Sequence, residues 1–384
     1  MGKQVHEDFL ERRHFPGLNG VRCFAAVAVV WHHSVRPTGL RIYEHGHMGV
    51  DVFFVLSGFL ISTLLIREKA VFGSISLKNF WVRRVLRLFP AYLALLGGMA
   101  ALYLIIKPGD PDAAKFFANI HIYALYLSNW FPRDVGNLGH TWTLATEEQF
   151  YLFWPLVEAL FRPVALGVTW TIAFLANQGL NFGLFDEPLR AIGAMGERRS
   201  EIVEVTYTPI LLGVVLAHLL NSRRGYDLLA WIAGWRGAAP AFALAVMLIL
   251  SIDLPTLDGW PRLLLHCLIA LFFVALIVRP EGTTVAALDW APFNYLGTIS
   301  YGIYLYHMLP SSFIAGVLGE RFPWLTFPAA LAATVVIAAL SYAVLEKPLL
   351  RLGTGFRRKT APNEPALPLE AGPAPTSGAR PSGA

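Results

Sequence analysis

The sequence contains little charge and almost no cysteine. Only 15% of its 384 residues are charged, against about 25% in a soluble domain. Hydrophobic residues make up 55%, and the mean hydropathy is +0.51. The two cysteines, Cys23 and Cys267, both lie in apolar segments, so they provide neither a disulfide framework nor a metal site. This composition excludes an ordinary soluble domain and predicts an all-α polytopic membrane protein.

Apolar segments of about 20 residues predict ten transmembrane helices. They cover residues 17–36, 49–66, 87–106, 143–162, 163–180, 207–222, 237–253, 262–279, 296–317 and 325–345. With a cytosolic N-terminus, 21 of the 31 Lys and Arg residues fall on the inner side and 10 on the outer side, so we predict that both termini are inside. This orientation also explains the net charge of +5, and nucleic acid is not an expected partner.

Three regions follow from this reading. Residues 1–16 form a cytosolic N-terminal segment without a visible signal peptide, and residues 17–351 form the membrane domain. Residues 352–384 are rich in Pro, Ala and Gly and have no apolar periodicity, so we expect a disordered cytosolic tail.

Two outer connections are longer than a turn. Residues 116–130 form an apolar piece that is either a re-entrant helix or an eleventh span, and the charge distribution favours the re-entrant helix. Residues 177–206 carry many charges, and this loop either contacts a polar acceptor or is a solvated connector.

The first span carries two costly polar residues, Arg22 and His33. Eleven residues of helix place them within about 20° of one another and about 16 Å apart along the axis. Each residue alone is explained by an interfacial position near a helix end. Their shared face favours a functional pair, while His32 lies about 100° away and is the weaker candidate.

A second basic group lies at residues 83–87. Arg84 and Arg87 are i,i+3 neighbours and Arg83 joins Arg87 at i,i+4, which predicts a basic stripe at the cytosolic membrane surface. Guanidinium groups suit phosphate oxygens because their donors form a planar fork. Binding of anionic lipid is the alternative explanation.

The segment from His140 to Pro155 carries more functional groups than a membrane span needs. Glu147 and Tyr151 share a helix face at i,i+4, and His140 lies near that face seven residues earlier. An interfacial position would explain Glu148 alone, but not both adjacent carboxylates.

Three residues of the ninth span, Ser300, Tyr304 and His307, lie within about 60° of one another and predict a polar seam. In the second span, Asp51 is either an interfacial charge or the partner of His33. The Ser57-Gly58 pair of that span lets a neighbouring backbone approach closely.

These motifs together resemble the acyltransferase-3 family of bacterial membrane-bound O-acyltransferases, which modify O-antigens, exopolysaccharides, Nod factors and macrolides. The resemblance rests on six segments in the same order, spread over residues 17–351. They are Gly17 to His33 with its Arg-x10-His spacing, Gly49 to Ser62, Arg84-x-x-Arg87 within Phe80 to Tyr92, Trp142 to Pro155, Ile299 to His307 and Glu346-Lys347-Pro348.

The resemblance implies a ten-helix membrane enzyme that moves an acyl group, expected to be acetyl, from cytosolic acyl-CoA to a hydroxyl at the outer face. The acceptor would be a glycan, a glycolipid or a small molecule. The enzyme would lie in the bacterial cytoplasmic membrane in contact with lipid, with acyl-CoA as a substrate and no permanently bound cofactor or metal.

Residue roles follow from the motifs and the resemblance together. Arg84 and Arg87, with Arg83, would bind the phosphates of CoA, and His33 would act as general base on the acceptor or carry the acyl group. Glu147 would orient or charge-compensate the imidazole of His33, and Arg22 would stabilise negative charge near the thioester. Either the CoA arm or an acyl-enzyme would bridge the 16 Å between Arg22 and His33.

Two departures from the family pattern stand out. The periplasmic esterase-like domain of some members is missing, so we expect the membrane core to act alone. Residues 205–209 read Val-Thr-Tyr-Thr-Pro, without the expected arginine before Leu211-Leu-Gly213.

The main rival function is a transporter or flippase with a His, Glu and Arg proton relay. Transporters commonly contain internal repeats, and the two halves of this chain do not match. An intramembrane serine protease is disfavoured because no Gly-x-Ser-x-Gly motif is present and Ser57 has no clear partner in the sequence.

Overall fold

The protein is helical throughout the part of the chain that this computed structural model describes, which comprises residues 2–34, 44–131, 135–191, 207–252, 257–319, 321–356 and 358. Its α-helices, in chain order, are α1 (Gly2–Glu11), α2 (Leu18–Ser34), α3 (Gly49–Phe72), α4 (Leu77–Ala101), α5 (Pro111–Ala124), α6 (Thr141–Leu160), α7 (Pro163–Asn181), α8 (Asp186–Ala191), α9 (Thr208–Asn221), α10 (Arg223–Ala233), α11 (Ala238–Ser251), α12 (Trp260–Val278), α13 (Thr283–Leu288), α14 (Ala291–Thr298), α15 (Ser300–Tyr306), α16 (Met308–Leu318), α17 (Pro323–Ser341) and α18 (Lys347–Gly353). Two π-helical turns, Leu102–Ile106 and Tyr342–Glu346, extend α4 and α17.

Several of these helices are suited to a membrane. Four helical segments among the described residues are long and apolar enough to cross one: Gly46–Phe72, Leu77–Ile106, Trp260–Val278 and Pro323–Phe356. A fifth results if α10 and α11, which meet at 70°, form one broken span. The protein is therefore a multi-pass membrane protein. Helices also lie at the other predicted span positions, but they are shorter or more polar, so the count of ten stays a prediction.

The apolar piece at residues 116–130 does not form a long helix. Helix α5 ends at Ala124 after 14 residues, which is about 21 Å at 1.5 Å per residue. A hydrocarbon core is about 30 Å thick, so this length favours the re-entrant alternative over an eleventh span.

The prediction of one continuous ninth helix over residues 296–317 was wrong. The segment is divided into α14, α15 and α16, with breaks at Ile299 and His307. Pro310 explains the second break, because a proline has no N–H to donate to the carbonyl of Tyr306 four residues earlier.

Helices α3 and α9 approach each other closely through two glycines. A Cβ atom at Gly58 would lie 2.1 Å from the carbonyl oxygen of Ile210, and one at Gly213 would lie 2.2 Å from that of Val55. The predicted close backbone approach at Ser57-Gly58 is thus confirmed. It fixes the position of α3 relative to α9, since no other residue fits at this distance.

The N-terminal segment is helical and docked rather than extended. Phe9 of α1 is fully buried, and Arg67 of α3 donates to the carbonyl oxygens of Phe9 at 2.9 Å and Arg12 at 2.8 Å. Burial lowers the pKa of His6, whose Nε2 lies 3.1 Å from the carbonyl oxygen of Leu220. At the other end of the chain, most of the predicted tail at 352–384 falls outside the described residues.

Candidate active site

A cavity, called here the arginine cavity, lies between α2, α3, α4, α6 and α15. One wall is apolar and includes Phe53, Leu60 and Leu64 of α3. The polar side chains that line it are Arg22, Ser57, Arg84, Arg87, Thr143, Glu147, Tyr151, Ser300, Tyr301 and Tyr304. The cavity thus combines three cations and one carboxylate with a hydrophobic surface.

Neighbouring helices orient the arginines. Arg22 donates from Nε to Ser300 Oγ at 3.1 Å, which links α2 to α15. The guanidinium carbon of Arg84 lies 5.0 Å from the ring centroid of Tyr151, within the range of a cation–π contact. Arg84 and Arg87 are buried, because α6 and α18 pack against α4. These two arginines therefore do not form the surface stripe that the sequence predicts.

Arg83 lies apart from the arginine cavity. Its Nη1 donates to the carbonyl oxygen of Phe356 at 2.9 Å, and it is not among the residues lining the cavity. The structure therefore separates Arg83 from Arg84 and Arg87, with which the sequence grouped it.

Ser57, Glu147 and Tyr151 form a hydrogen-bonded group at the cavity wall. Ser57 Oγ donates to Glu147 Oε1 at 2.6 Å, and the Tyr151 hydroxyl donates to Ser57 Oγ at 3.0 Å. Pro155 leaves the carbonyl of Tyr151 without its helical donor, and Trp81 Nε1 donates to that oxygen at 3.1 Å. The expectation that Ser57 lacks a partner was wrong.

A second cavity, called here the histidine cavity, lies at the opposite end of α2. His32, His33, His45, His47 and His140 line it. The ring centroids of His32 and His33, and those of His32 and His47, are 4.9 Å apart. Imidazoles so closely grouped can accept protons and pass them to one another.

His33 contacts His307 and its own helix. His33 Nδ1 lies 3.0 Å from the carbonyl oxygen of Val29 and 3.3 Å from His307 Nε2. A carbonyl oxygen only accepts, so Nδ1 of a neutral His33 carries the proton and Nε2 keeps its lone pair. The tautomer that these contacts favour is that of a general base.

His307 is fully buried behind His33. Its Nδ1 lies 2.6 Å from the carbonyl oxygen of Tyr304, and its ring centroid lies 4.9 Å from that of His140. His140 Nε2 lies 3.0 Å from the carbonyl oxygen of Leu305. His307 therefore bridges His33 and His140, which both line the histidine cavity.

The predicted polar seam connects three helices. Ser300 contacts Arg22, Tyr304 contacts Thr143 of α6 with 2.5 Å between the hydroxyl oxygens, and His307 contacts His33. The polar seam is retained although the ninth helix is divided, because Ser300 and Tyr304 both lie in α15 and the break at His307 comes after them.

Asp51 does not pair with His33. Its Oδ2 lies 3.1 Å from His266 Nε2 of α12, and both side chains are almost completely buried. Of the two alternatives for Asp51, an interfacial charge and a His33 partner, neither describes this contact. The pair joins α3 to α12 beside the histidine cavity, which Asp51 also lines.

Glu147 is likewise remote from the imidazole that it was expected to orient. Seven residues of α6 separate it from His140, a distance of about 10 Å. His140 lies beside His307, whereas Glu147 lies in the arginine cavity with Ser57. The pairing of Glu147 with His33 was wrong, because the spacing within α6 does not reveal the depth at which other helices cross it.

The two cavities share a wall formed by Val50, Thr143 and Tyr304. The Tyr304 hydroxyl also donates to the carbonyl oxygen of His140 at 3.0 Å. This bond helps to hold the hydroxyl groups of Tyr304 and Thr143 in place. No group of three or more His, Cys, Asp and Glu residues in the described chain is arranged to hold a metal ion.

The fold and the site together define a multi-pass membrane protein with a buried polar site. In this site, a cation-lined cavity and a histidine-lined cavity lie on either side of one partition. The family model described as an acyltransferase domain matches residues 15–343, and the chain belongs to this acyltransferase-3 family.

Curated relatives come from Staphylococcus aureus. The O-acetyltransferase OatA of strain NCTC 8325 is 27% identical over 379 residues, and a protein of strain COL with a provisional O-acetyltransferase name is 29% identical over 372 residues. Both matches cover 90% of this chain but only 59% of the relative. The chain therefore spans less than two thirds of the length of these relatives. No solved structure matches it.

Proposed function

We propose that the protein is a membrane O-acyltransferase that moves an acyl group, most simply acetyl, from cytosolic acyl-CoA to a hydroxyl of a glycan, glycolipid or small molecule at or across the membrane. One observation carries the proposal: a cation-lined cavity and a histidine-lined cavity meet at a single partition. Family membership and the O-acetyltransferase names of the relatives support it.

The arginine cavity suits the donor. Acyl-CoA combines phosphates with a long arm that ends in a thioester. Arg84 and Arg87 can hold phosphate oxygens by charge-assisted hydrogen bonds, and the apolar wall can receive the arm. Arg22, which lines the same cavity, can stabilise the oxyanion that develops at the thioester carbonyl.

The histidine cavity suits the acceptor. An acceptor hydroxyl is a weak nucleophile until a base removes its proton. The Nε2 lone pair of His33 is the base that we assign to this step, because Nδ1 is committed to Val29 and His307. The neighbouring imidazoles can then carry the proton to water.

The orientation completes the proposal. Ten spans with both termini inside would place the arginine cavity towards the cytosol, where acyl-CoA is made, and the histidine cavity towards the outside. The inner excess of Lys and Arg, 21 to 10, supports this arrangement in a bacterial cytoplasmic membrane.

The test uses the purified protein in lipid nanodiscs with radiolabelled acetyl-CoA. We expect release of free CoA thiol, and we expect acetyl esters that disappear from the envelope glycans or secreted small molecules of cells in which the gene is deleted. A protein that moves a solute across vesicles but never cleaves acetyl-CoA would instead be a transporter, and the proposal would fail.

A further inference from the structure

We propose that Ser57 carries the acyl group as a covalent ester between donor and acceptor. This inference rests on the proposed acyltransferase function and adds a nucleophile to it. Helix packing explains the Ser57-Gly58 pair, and the proposed acyltransferase function gives Ser57 no role of its own.

The hydrogen bonds around Ser57 are those of an activated nucleophile. The hydroxyl proton points to Glu147 Oε1 over 2.6 Å, so a carboxylate is in place to receive it. The Tyr151 hydroxyl donates to Ser57 Oγ from 3.0 Å, which fixes the orientation of that oxygen. A nucleophile held by its base, with a third group that orients it, is the arrangement that covalent catalysis requires.

The backbone of α3 holds Ser57 rigidly. Gly58, the next residue, contacts α9 so closely that any larger side chain would collide with the carbonyl of Ile210. Reacting groups need placement within about 0.5 Å, and a packed helix supplies this better than a loop. The close approach of α3 and α9 therefore has a catalytic consequence.

The surroundings of Ser57 suit a thioester. Phe53, Leu60 and Leu64 share its face of α3 at i−4, i+3 and i+7 and offer an apolar surface to the acyl chain. Arg22, Arg84 and Arg87 line the same cavity. They can stabilise both the tetrahedral oxyanion and the departing CoA thiolate.

The reaction balances in two steps. Ser57 Oγ forms a bond to the thioester carbonyl carbon, its proton passes to Glu147, and the carbon–sulfur bond breaks. The thiolate leaves and takes a proton from cytosolic water. The side chains of the partition then move apart, and the acceptor oxygen bonds to the carbonyl carbon of the Ser57 ester while its proton passes to His33 and the bond between that carbon and Ser57 Oγ breaks. Glu147 returns its proton to Ser57 Oγ, and His33 releases its proton to water.

These two reaction steps explain why Glu147 and His33 lie in different cavities. If His33 were the only acid–base group, the thioester would have to reach the histidine cavity. With the ester on Ser57, Glu147 serves the first step and His33 serves the second. Two acid–base groups at two depths are then required.

The closing experiment traps the ester. The His33→Ala protein in nanodiscs is incubated with radiolabelled acetyl-CoA, digested and analysed by mass spectrometry. We expect one acetyl group on the peptide containing Ser57, and no label in the double variant His33→Ala/Ser57→Ala. Ser57→Cys should give a thioester that neutral hydroxylamine cleaves, whereas the serine ester resists it.

A matched control is available on the same helix. Ser62 is fully buried, and its Oγ has no hydrogen-bond partner among the described residues. Ser62→Ala should label and turn over like the parent protein. Transfer by Ser57→Ala at the parent rate, or label on a different residue, would overturn the inference while leaving the acyltransferase function intact. A wild-type protein that neither releases CoA nor transfers acetyl would instead refute the function itself.

Discussion

His33 and His307 form a direct pair between α2 and the end of α15, with His307 Nε2 3.3 Å from His33 Nδ1. His307 is fully buried and anchored to the carbonyl of Tyr304. His33, at the cavity, is thus held by a neighbour that cannot move freely. The pair links the first predicted span, which carries His33, to the polar seam of the ninth span, 274 residues later in the chain.

The first prediction concerns His33. Replacing it with alanine should reduce acyl transfer by about 100-fold or more, because a general base contributes about that much. Expression and insertion should be normal, since a membrane helix loses only a polar group. His32→Ala should cost less, because it is His33 whose Nδ1 lies 3.3 Å from His307 Nε2. Equal steady-state rates of acyl transfer to the acceptor for His33→Ala and the parent protein would contradict the assignment.

The second prediction concerns the donor site. Arg84→Gln and Arg87→Gln should each weaken acetyl-CoA binding by about 10-fold to 100-fold, because a hydrogen bond to a charged group contributes about 1.5–3 kcal/mol. Isothermal titration calorimetry in nanodiscs measures the change.

Arg83→Gln provides the matched control. Its guanidinium contacts Phe356 and does not line the cavity, so its CoA affinity should equal that of the parent. If all three variants bound CoA normally but differed in their dependence on anionic lipid, the arginines would be lipid ligands.

The third prediction concerns helix packing. Gly58→Ala places a methyl group 2.1 Å from the carbonyl oxygen of Ile210, which forces α3 and α9 apart and should destabilise the protein by about 1–3 kcal/mol. Gly97→Ala, on α4, should be harmless because no atom lies within 4 Å of the added methyl. Thermal unfolding in detergent, followed by tryptophan fluorescence, compares the two. A melting temperature for Gly58→Ala that matched Gly97→Ala would show that the contact is looser than described.

The fourth prediction is the orientation in the membrane. Cysteines placed at Ser76 and Glu187, in a protein lacking Cys23 and Cys267, should react oppositely with a membrane-impermeant thiol reagent. Glu187, an exposed residue of α8 within the 177–206 segment, should label in intact cells, and Ser76 only after permeabilisation. The reverse pattern would invert the protein and remove Arg84 and Arg87 from the cytosolic side.

Much of the local structure could be predicted from the sequence. The helix carrying Arg22 and His33 was predicted, because an uninterrupted apolar run, Cys23 to Trp31, lies between these two residues. The tight approach at Gly58 was predicted from the residue type alone. Partners between distant helices could not be predicted, because periodicity gives the face of a residue but not its depth. Glu147 was therefore matched to His33 rather than Ser57, and Asp51 was not matched to His266.

The hydroxyl pair of Thr143 and Tyr304 has a consequence for the cell as a whole. Two hydrated cavities that merged would form a pore, through which protons would flow down the membrane potential and dissipate it. A partition made of side chains, with its two oxygens in hydrogen-bond contact at 2.5 Å, acts as a narrow constriction of the kind that closes channels. Tyr304→Ala would widen this constriction and let protons leak through the protein, which would lower the membrane potential of the host cell. A reduced growth rate in that variant would therefore measure how well the partition closes.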